Sequence, residues 1–168
     1  MSRPPSTTPR PVDVVGTLLK ITGVRALISF YKYIYLNQPK LTALAGIVLV
    51  LGVGAVHAVQ APEYFGISAY LGALFVANAV GTVVAAVGIL RGAKGWGWTL
   101  GAAICTLAAL AYLASRLFGL PGYPEAAGAW DEPWGSLALI LEGLFLGGWF
   151  SVMTGLAVAS PEGRDWHD

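Results

Sequence analysis

Four apolar stretches of about the same length constrain this chain more than any other feature of its sequence. They cover residues 41–60, 67–90, 96–118 and 136–158. Each is close to the ~20 residues that an α-helix needs to cross a hydrocarbon core of about 30 Å. Charged residues make up only 11% of the chain, whereas soluble domains usually carry about 25%. The sequence therefore predicts an all-α, four-helix transmembrane bundle over residues 41–158.

The segments on either side of this bundle have a different composition. Residues 1–11 are rich in Pro, Ser and Thr, which is typical of a flexible tail, and residues 159–168 are predicted to form a second tail. Residues 12–38 alternate apolar and basic positions at roughly helical spacing. An amphipathic helix lying in the membrane interface is the predicted structure. A docking helix for a partner subunit is the alternative.

The basic and acidic residues predict an orientation for the bundle. All ten Lys and Arg residues except Arg116 fall in segments that share one side of the membrane if the four stretches all cross it. The outer links hold acidic residues instead, namely Glu63, Glu125, Asp131 and Glu132. Because cytoplasmic loops carry the excess of Lys and Arg, both termini are predicted to be cytoplasmic. A net charge of +1 gives no reason to expect a nucleic-acid partner.

Small residues recur at four-residue steps within the predicted helices. The fourth stretch contains Gly143, Gly147 and Gly155, and the third contains Gly97 and Gly101. Such ridges let the backbones of membrane helices approach one another closely. Packing within the bundle is the simpler interpretation, and contacts with a second copy or with another subunit are the alternative. Asn78, in the second stretch, is predicted to make an interhelical hydrogen bond.

Ionisable residues at membrane depth mark the predicted outer end of the bundle, where each carries an energetic cost. His57 and Glu142 lie within the first and fourth stretches, and Glu63 follows the first. These three have the ligand types of a copper or zinc site, so a metal ion is the one cofactor suggested, and they could equally relay protons. The structural alternative is that Arg116 pairs with Glu142 and His57 bonds a link carboxylate or a backbone carbonyl.

Two outer segments carry a resemblance to a known group of proteins. The segments are His57-Ala-Val-Gln-Ala-Pro-Glu-Tyr-Phe65 and Ser115-Arg-Leu-Phe-Gly-Leu-Pro121. Across about residues 50–145 the chain resembles a family of uncharacterised bacterial four-helix membrane proteins common in actinobacterial-type genomes. The resemblance implies a bacterial plasma-membrane protein and brings no activity with it. Relatives often have an aspartate where residues 136–140 have none, which removes one potential metal ligand.

Taken together, these features predict a non-enzymatic membrane protein. No motif of a hydrolase, nucleotide-binding protein or metalloprotease is present in the sequence. An accessory or scaffolding component of a membrane complex is the leading interpretation, with lipid and other membrane proteins or further copies as its partners. An outer-face protein that binds a metal ion or handles protons or redox partners is the alternative.

Overall fold

The structure, a computed structural model, describes residues 38–92 and 95–159. This part of the chain contains four long helices, which are α1 (Pro39–Ile67), α2 (Ala69–Leu90), α3 (Trp96–Phe118) and α4 (Pro133–Met153). A single 3-10 turn, Pro124–Ala126, lies in the link between α3 and α4. All four helices are long and apolar enough to cross a membrane. The predicted all-α, four-helix bundle of a multi-pass membrane protein is confirmed.

Helix α3 has the predicted bounds, but α1 is longer than predicted. It continues through Pro62 to Ile67, and Ser68 alone, in an extended conformation, separates it from α2. The predicted end of the first stretch at residue 60, before Pro62, is therefore wrong. Proline inside a helix costs roughly 3 kcal/mol. The continued helix carries Tyr64, whose ring stacks on Phe75 of α2 with the centroids 3.9 Å apart, and this contact offsets part of that cost. Glu63 consequently belongs to α1.

Helix α4 is shifted toward its N-terminus relative to the prediction. It begins at Pro133 and ends at Met153, whereas residues 136–158 were expected. Proline is favoured in the first turn of a helix, where the missing N–H would have no partner. Gly155 lies beyond the helix with a φ of +73°, so it is not part of a glycine ridge on α4.

The four helices form a ring around a common core. Helix α1 packs against α2 and α4, and α3 packs against the same two helices. The core residues are Val50, Val53, Ala85, Ala86, Ile89, Trp98, Ala102, Cys105 and Phe145. They lie in the half of the bundle nearest the short link between α2 and α3. We call this half of the bundle the short-link end. The opposite end, which carries residues 119–132 between α3 and α4, is the long-link end.

Large apolar side chains cover the outside of the bundle. Leucine, valine, isoleucine and phenylalanine side chains are exposed along all four helices, as contact with lipid requires. The predicted tail 1–11, the predicted amphipathic helix 12–38 apart from Gln38, and residues 160–168 lie outside the described residues. The expectations for those segments remain predictions.

Candidate functional site

A buried ion pair ties the long link to the end of α3. Arg116 lies in the last turn of α3 and is 3% exposed, and Glu132 immediately precedes α4. The Arg116 guanidinium bonds a carboxylate oxygen of Glu132 and donates to the carbonyl of Ala126 at 3.3 Å. The carbonyl of Arg116 accepts from the Gly128 N–H at 2.8 Å. The long link thus contacts both the side chain and the backbone of Arg116.

The second oxygen of Glu132 connects this pair to α1. It accepts hydrogen bonds from the Gln60 amide at 3.0 Å and from the Tyr64 hydroxyl at 3.3 Å. One carboxylate therefore joins α1, α3 and the start of α4. Arg116 also lies over the ring of Tyr112, with its guanidinium carbon 4.6 Å from the ring centroid, a distance at which a cation–π contact is favourable.

The predicted partner of Arg116 was Glu142, and the structure places Glu132 there instead. Glu142 lies more than two turns further along α4 than Glu132, so its side chain is too deep in the bundle to meet the last turn of α3. The sequence could have indicated Glu132 as the partner, because an acid directly before a proline that begins a helix must lie at the helix end. Gln60 and Tyr64 carried none, since neither residue type is unusual near a membrane surface.

A cavity of about 390 Å³ occupies the long-link half of the bundle. All four helices contribute to its wall, and Leu120 and Tyr123 of the long link lie over it. The hydroxyl of Tyr70, at the start of α2, donates to the Pro121 carbonyl at 2.5 Å and so joins α2 to that link. The wall is mainly apolar, with aromatic rings and a few polar side chains, as is typical of small-molecule sites.

Two polar side chains of this cavity, those of Glu142 and Asn78, lie deep in the bundle without a partner. Glu142 is 2% exposed, and no described residue forms a hydrogen bond or ion pair with its carboxylate. The side-chain oxygen of Asn78 is buried without a hydrogen-bond partner among the described residues, so it does not make the interhelical hydrogen bond that the sequence predicts for Asn78. Both residues line the cavity. Buried polar groups are normally paired, so two unpaired ones in a single cavity need a physical explanation.

His57 lies on the same cavity and makes one of the predicted contacts. Its Nδ1 is 2.9 Å from the Val53 carbonyl, and its ring lies 5.1 Å from the Phe75 ring. Because a carbonyl only accepts, Nδ1 carries the hydrogen, which leaves Nε2 as an acceptor in the neutral ring. The backbone-carbonyl alternative for His57 therefore matches the geometry.

The proposed metal ligands do not come together as a set. Glu63 is exposed on α1 and does not line the cavity that holds His57 and Glu142. Across residues 38–92 and 95–159, no three His, Cys, Asp or Glu side chains are grouped so that they could hold a metal ion. A closed structural site needs four ligands and a catalytic site usually three.

The predicted glycine ridges differ in what they face. A Cβ atom added to Gly97 would lie 2.5 Å from the Ile89 nitrogen, and one added to Gly101 would lie 2.6 Å from the Phe145 ring. These two glycines permit close packing inside the bundle. A Cβ atom added to Gly143 or Gly147 would meet nothing within 4 Å, and both residues are exposed on α4.

Comparison of the chain with protein-family models, with curated proteins and with solved structures finds no match.

Proposed function

We propose that this chain is a non-enzymatic accessory component of a membrane complex, in which the exposed glycine face of α4 binds a transmembrane helix of another subunit. We define the glycine face by Gly143, Gly147 and Ser151, which follow one another at four-residue steps. The observation that carries the proposal is the open space around Gly143 and Gly147. Helix α4 is also the least buried of the four spans.

Lipid gives no reason for glycine at these positions. A glycine inside a helix costs about 0.8–1.0 kcal/mol relative to alanine in peptide hosts. Helix association in a membrane depends on close packing, and small residues permit that approach. Gly143 and Gly147 would repay their cost when a second helix lies against them. Since Gly97 and Gly101 already pack inside the bundle, the glycine face of α4 is the ridge still available to a partner.

The proposal includes the placement in the membrane. We infer a bacterial plasma membrane with both termini in the cytoplasm. Support comes from the charges at the two ends of the bundle: Lys40 and Arg91 lie at the short-link end, whereas Glu63, Glu125 and Asp131 lie at the other. Family membership is part of the same proposal. Tyr64 and Arg116 support it: each comes from one of the two segments that carry the family resemblance, and both bond the carboxylate of Glu132.

Leucine at Gly143 and Gly147 tests the role of the glycine face. We expect the double variant G143L/G147L to lose its partner in native electrophoresis and in pull-downs from mildly solubilised membranes, because the added side chains hold the partner helix away. The isolated variant should unfold at the same denaturant concentration as the native chain or a higher one, since its α4 gains helix propensity.

Ala103→Leu is the control, because it places a leucine at an exposed position of α3 outside the glycine face and should leave the complex intact. The proposal fails if the native chain migrates alone in every mild detergent. It also fails if G143L/G147L retains its partner as well as Ala103→Leu does.

The metal-binding alternative, with His57, Glu63 and Glu142 as ligands, has a direct test. We expect elemental analysis of the purified protein to find zinc and copper far below one equivalent per chain, because the described residues offer no three grouped ligands. A full equivalent that disappears in both His57→Ala and Glu142→Ala, but not in Glu125→Ala, would establish the metal site and contradict this expectation.

A further inference from the structure

The cavity at the long-link end opens toward the lipid between α2 and α3. Leu74 of α2 and Leu107 of α3 both line it, yet they are 59% and 68% exposed. Ala77 of α2 and Ala111 of α3 also line the cavity and are also exposed. A molecule dissolved in the bilayer could therefore enter sideways, between the two helices, without passing the long link.

Two of the polar groups inside the cavity accept hydrogen bonds, and one of them carries a negative charge when it is ionised. Glu142 presents its carboxylate and Asn78 presents its unpaired oxygen. Among the described residues the cations are Lys40, Arg91 and Arg116. The first two lie at the short-link end, and Arg116 is bound to Glu132. The chain as described thus supplies no cation to Glu142.

Ionising a buried carboxyl group inside a membrane protein costs several kcal/mol, and a paired cation offsets much of that cost. The rest of the cavity is apolar and aromatic, with Phe75 and Tyr64 among its walls. Aromatic faces attract organic cations. A complementary ligand would have an apolar body of drug-like size, in line with the volume of about 390 Å³. Its head would be positively charged and would donate hydrogen bonds.

We propose that this cavity binds a lipophilic organic ammonium ion, which enters from the bilayer between α2 and α3 and places its charged head at Glu142 and Asn78. The site is distinct from the glycine face of α4, because it lies inside the bundle. Binding of this ligand would not require the partner subunit proposed above, so either proposal can fail without the other.

Dibenzylammonium and dibenzyl ether are a suitable pair of probes. They share two benzyl groups, and the ammonium centre of the first is replaced in the second by an uncharged oxygen. The full chain is placed in phosphatidylcholine nanodiscs, and binding is measured by calorimetry at neutral pH against empty nanodiscs. We expect saturable binding of dibenzylammonium at one site per chain. The ether should bind at least tenfold more weakly, since it has neither charge nor donor.

Variants then locate the site. Glu142→Gln should weaken dibenzylammonium about 10- to 100-fold, as expected for the loss of a charge-assisted hydrogen bond, and should leave ether binding unchanged. Glu63→Gln replaces an exposed carboxylate at the long-link end. It should change the binding of neither dibenzylammonium nor dibenzyl ether. Leu107→Trp should narrow the opening and reduce affinity. Leu110→Trp, on an exposed position of α3 outside the cavity, should not.

Three results would each overturn the proposal: equal affinity for ammonium and ether, full affinity in Glu142→Gln, or uptake that never saturates above the empty-nanodisc background. If Glu142→Gln does not fold, the ammonium-to-ether ratio in the native chain and the comparison of Leu107→Trp with Leu110→Trp decide the question. An ammonium-to-ether affinity ratio near one would then contradict the proposal. Equal affinity of Leu107→Trp and Leu110→Trp for dibenzylammonium would contradict it as well.

Discussion

Replacing Glu132 by glutamine is expected to lower the free energy of unfolding by about 3 kcal/mol, because it leaves a buried guanidinium without its counter-charge. Arg116 is almost fully buried, and the Glu132 side chain is 26% exposed. Because Glu132 is partly exposed, the expected destabilisation is at the lower end of the range found when a buried ion pair loses one partner. Gln60 and Tyr64 can still donate to the amide oxygen of the new side chain, so the loss reports mainly on the charge.

Denaturant titration of the chain in detergent micelles measures this loss. Glu125→Gln is the matched control, since Glu125 is an exposed acid in the same link, and it should stay within about 0.5 kcal/mol of the native chain. A double-mutant cycle then identifies the partner of Arg116. We expect Arg116→Met to couple with Glu132→Gln by about 1–3 kcal/mol and to be nearly additive with Glu142→Gln.

The opposite pattern, with strong coupling to Glu142 and none to Glu132, would restore the pairing first predicted from the sequence. A destabilisation below about 1 kcal/mol in Glu132→Gln would show that water or a rearranged link compensates the arginine. Either result would remove the ion pair as the feature that holds the long link against α1 and α3.

The crossing helices were predictable because membrane insertion depends on a property that each segment carries by itself. A stretch of about twenty apolar residues forms a helix in lipid whatever its neighbours are, since its backbone hydrogen bonds must be made internally. The bounds of α3 followed directly from this rule. The end of helix α1 did not, because a proline such as Pro62 usually marks the end of a helix, whereas this helix continues to Ile67 and Tyr64 stacks on Phe75.

The candidate site was only partly predictable, because side-chain pairing depends on depth and rotation as well as on charge. Sequence position placed Arg116 and Glu142 at a similar level, but the arginine bonds Glu132, which the true start of α4 at Pro133 holds at the end of the helix. His57 and Glu142, which the sequence indicates as candidate site residues, both line one cavity. The cavity that they share is lined by residues of all four helices, and no local pattern encodes how side chains from separate helices come together.

Alanine at Gly97 is expected to be the most damaging single methyl group that can be added to the bundle. The added Cβ would lie 2.5 Å from the Ile89 nitrogen and 2.6 Å from the Gly88 carbonyl carbon. Those are backbone atoms, which cannot turn away as a flexible side chain can. The short-link ends of α2 and α3 would have to separate, and the core around Trp98 would loosen with them. We expect a loss of about 3 kcal/mol, the upper part of the usual range for overpacking.

Gly143→Ala is the control, because it adds the same methyl group to a membrane helix at a position with nothing within 4 Å. Its isolated chain should be unchanged or up to about 1 kcal/mol more stable, as helix propensity predicts. Denaturant titration of both variants in the same micelles compares them directly. Equal stability of Gly97→Ala and Gly143→Ala would mean that α2 and α3 do not meet at Gly88 and Gly97. A loss confined to Gly97→Ala would show that the close contact between Gly88 and Gly97 holds the short-link ends of α2 and α3 together.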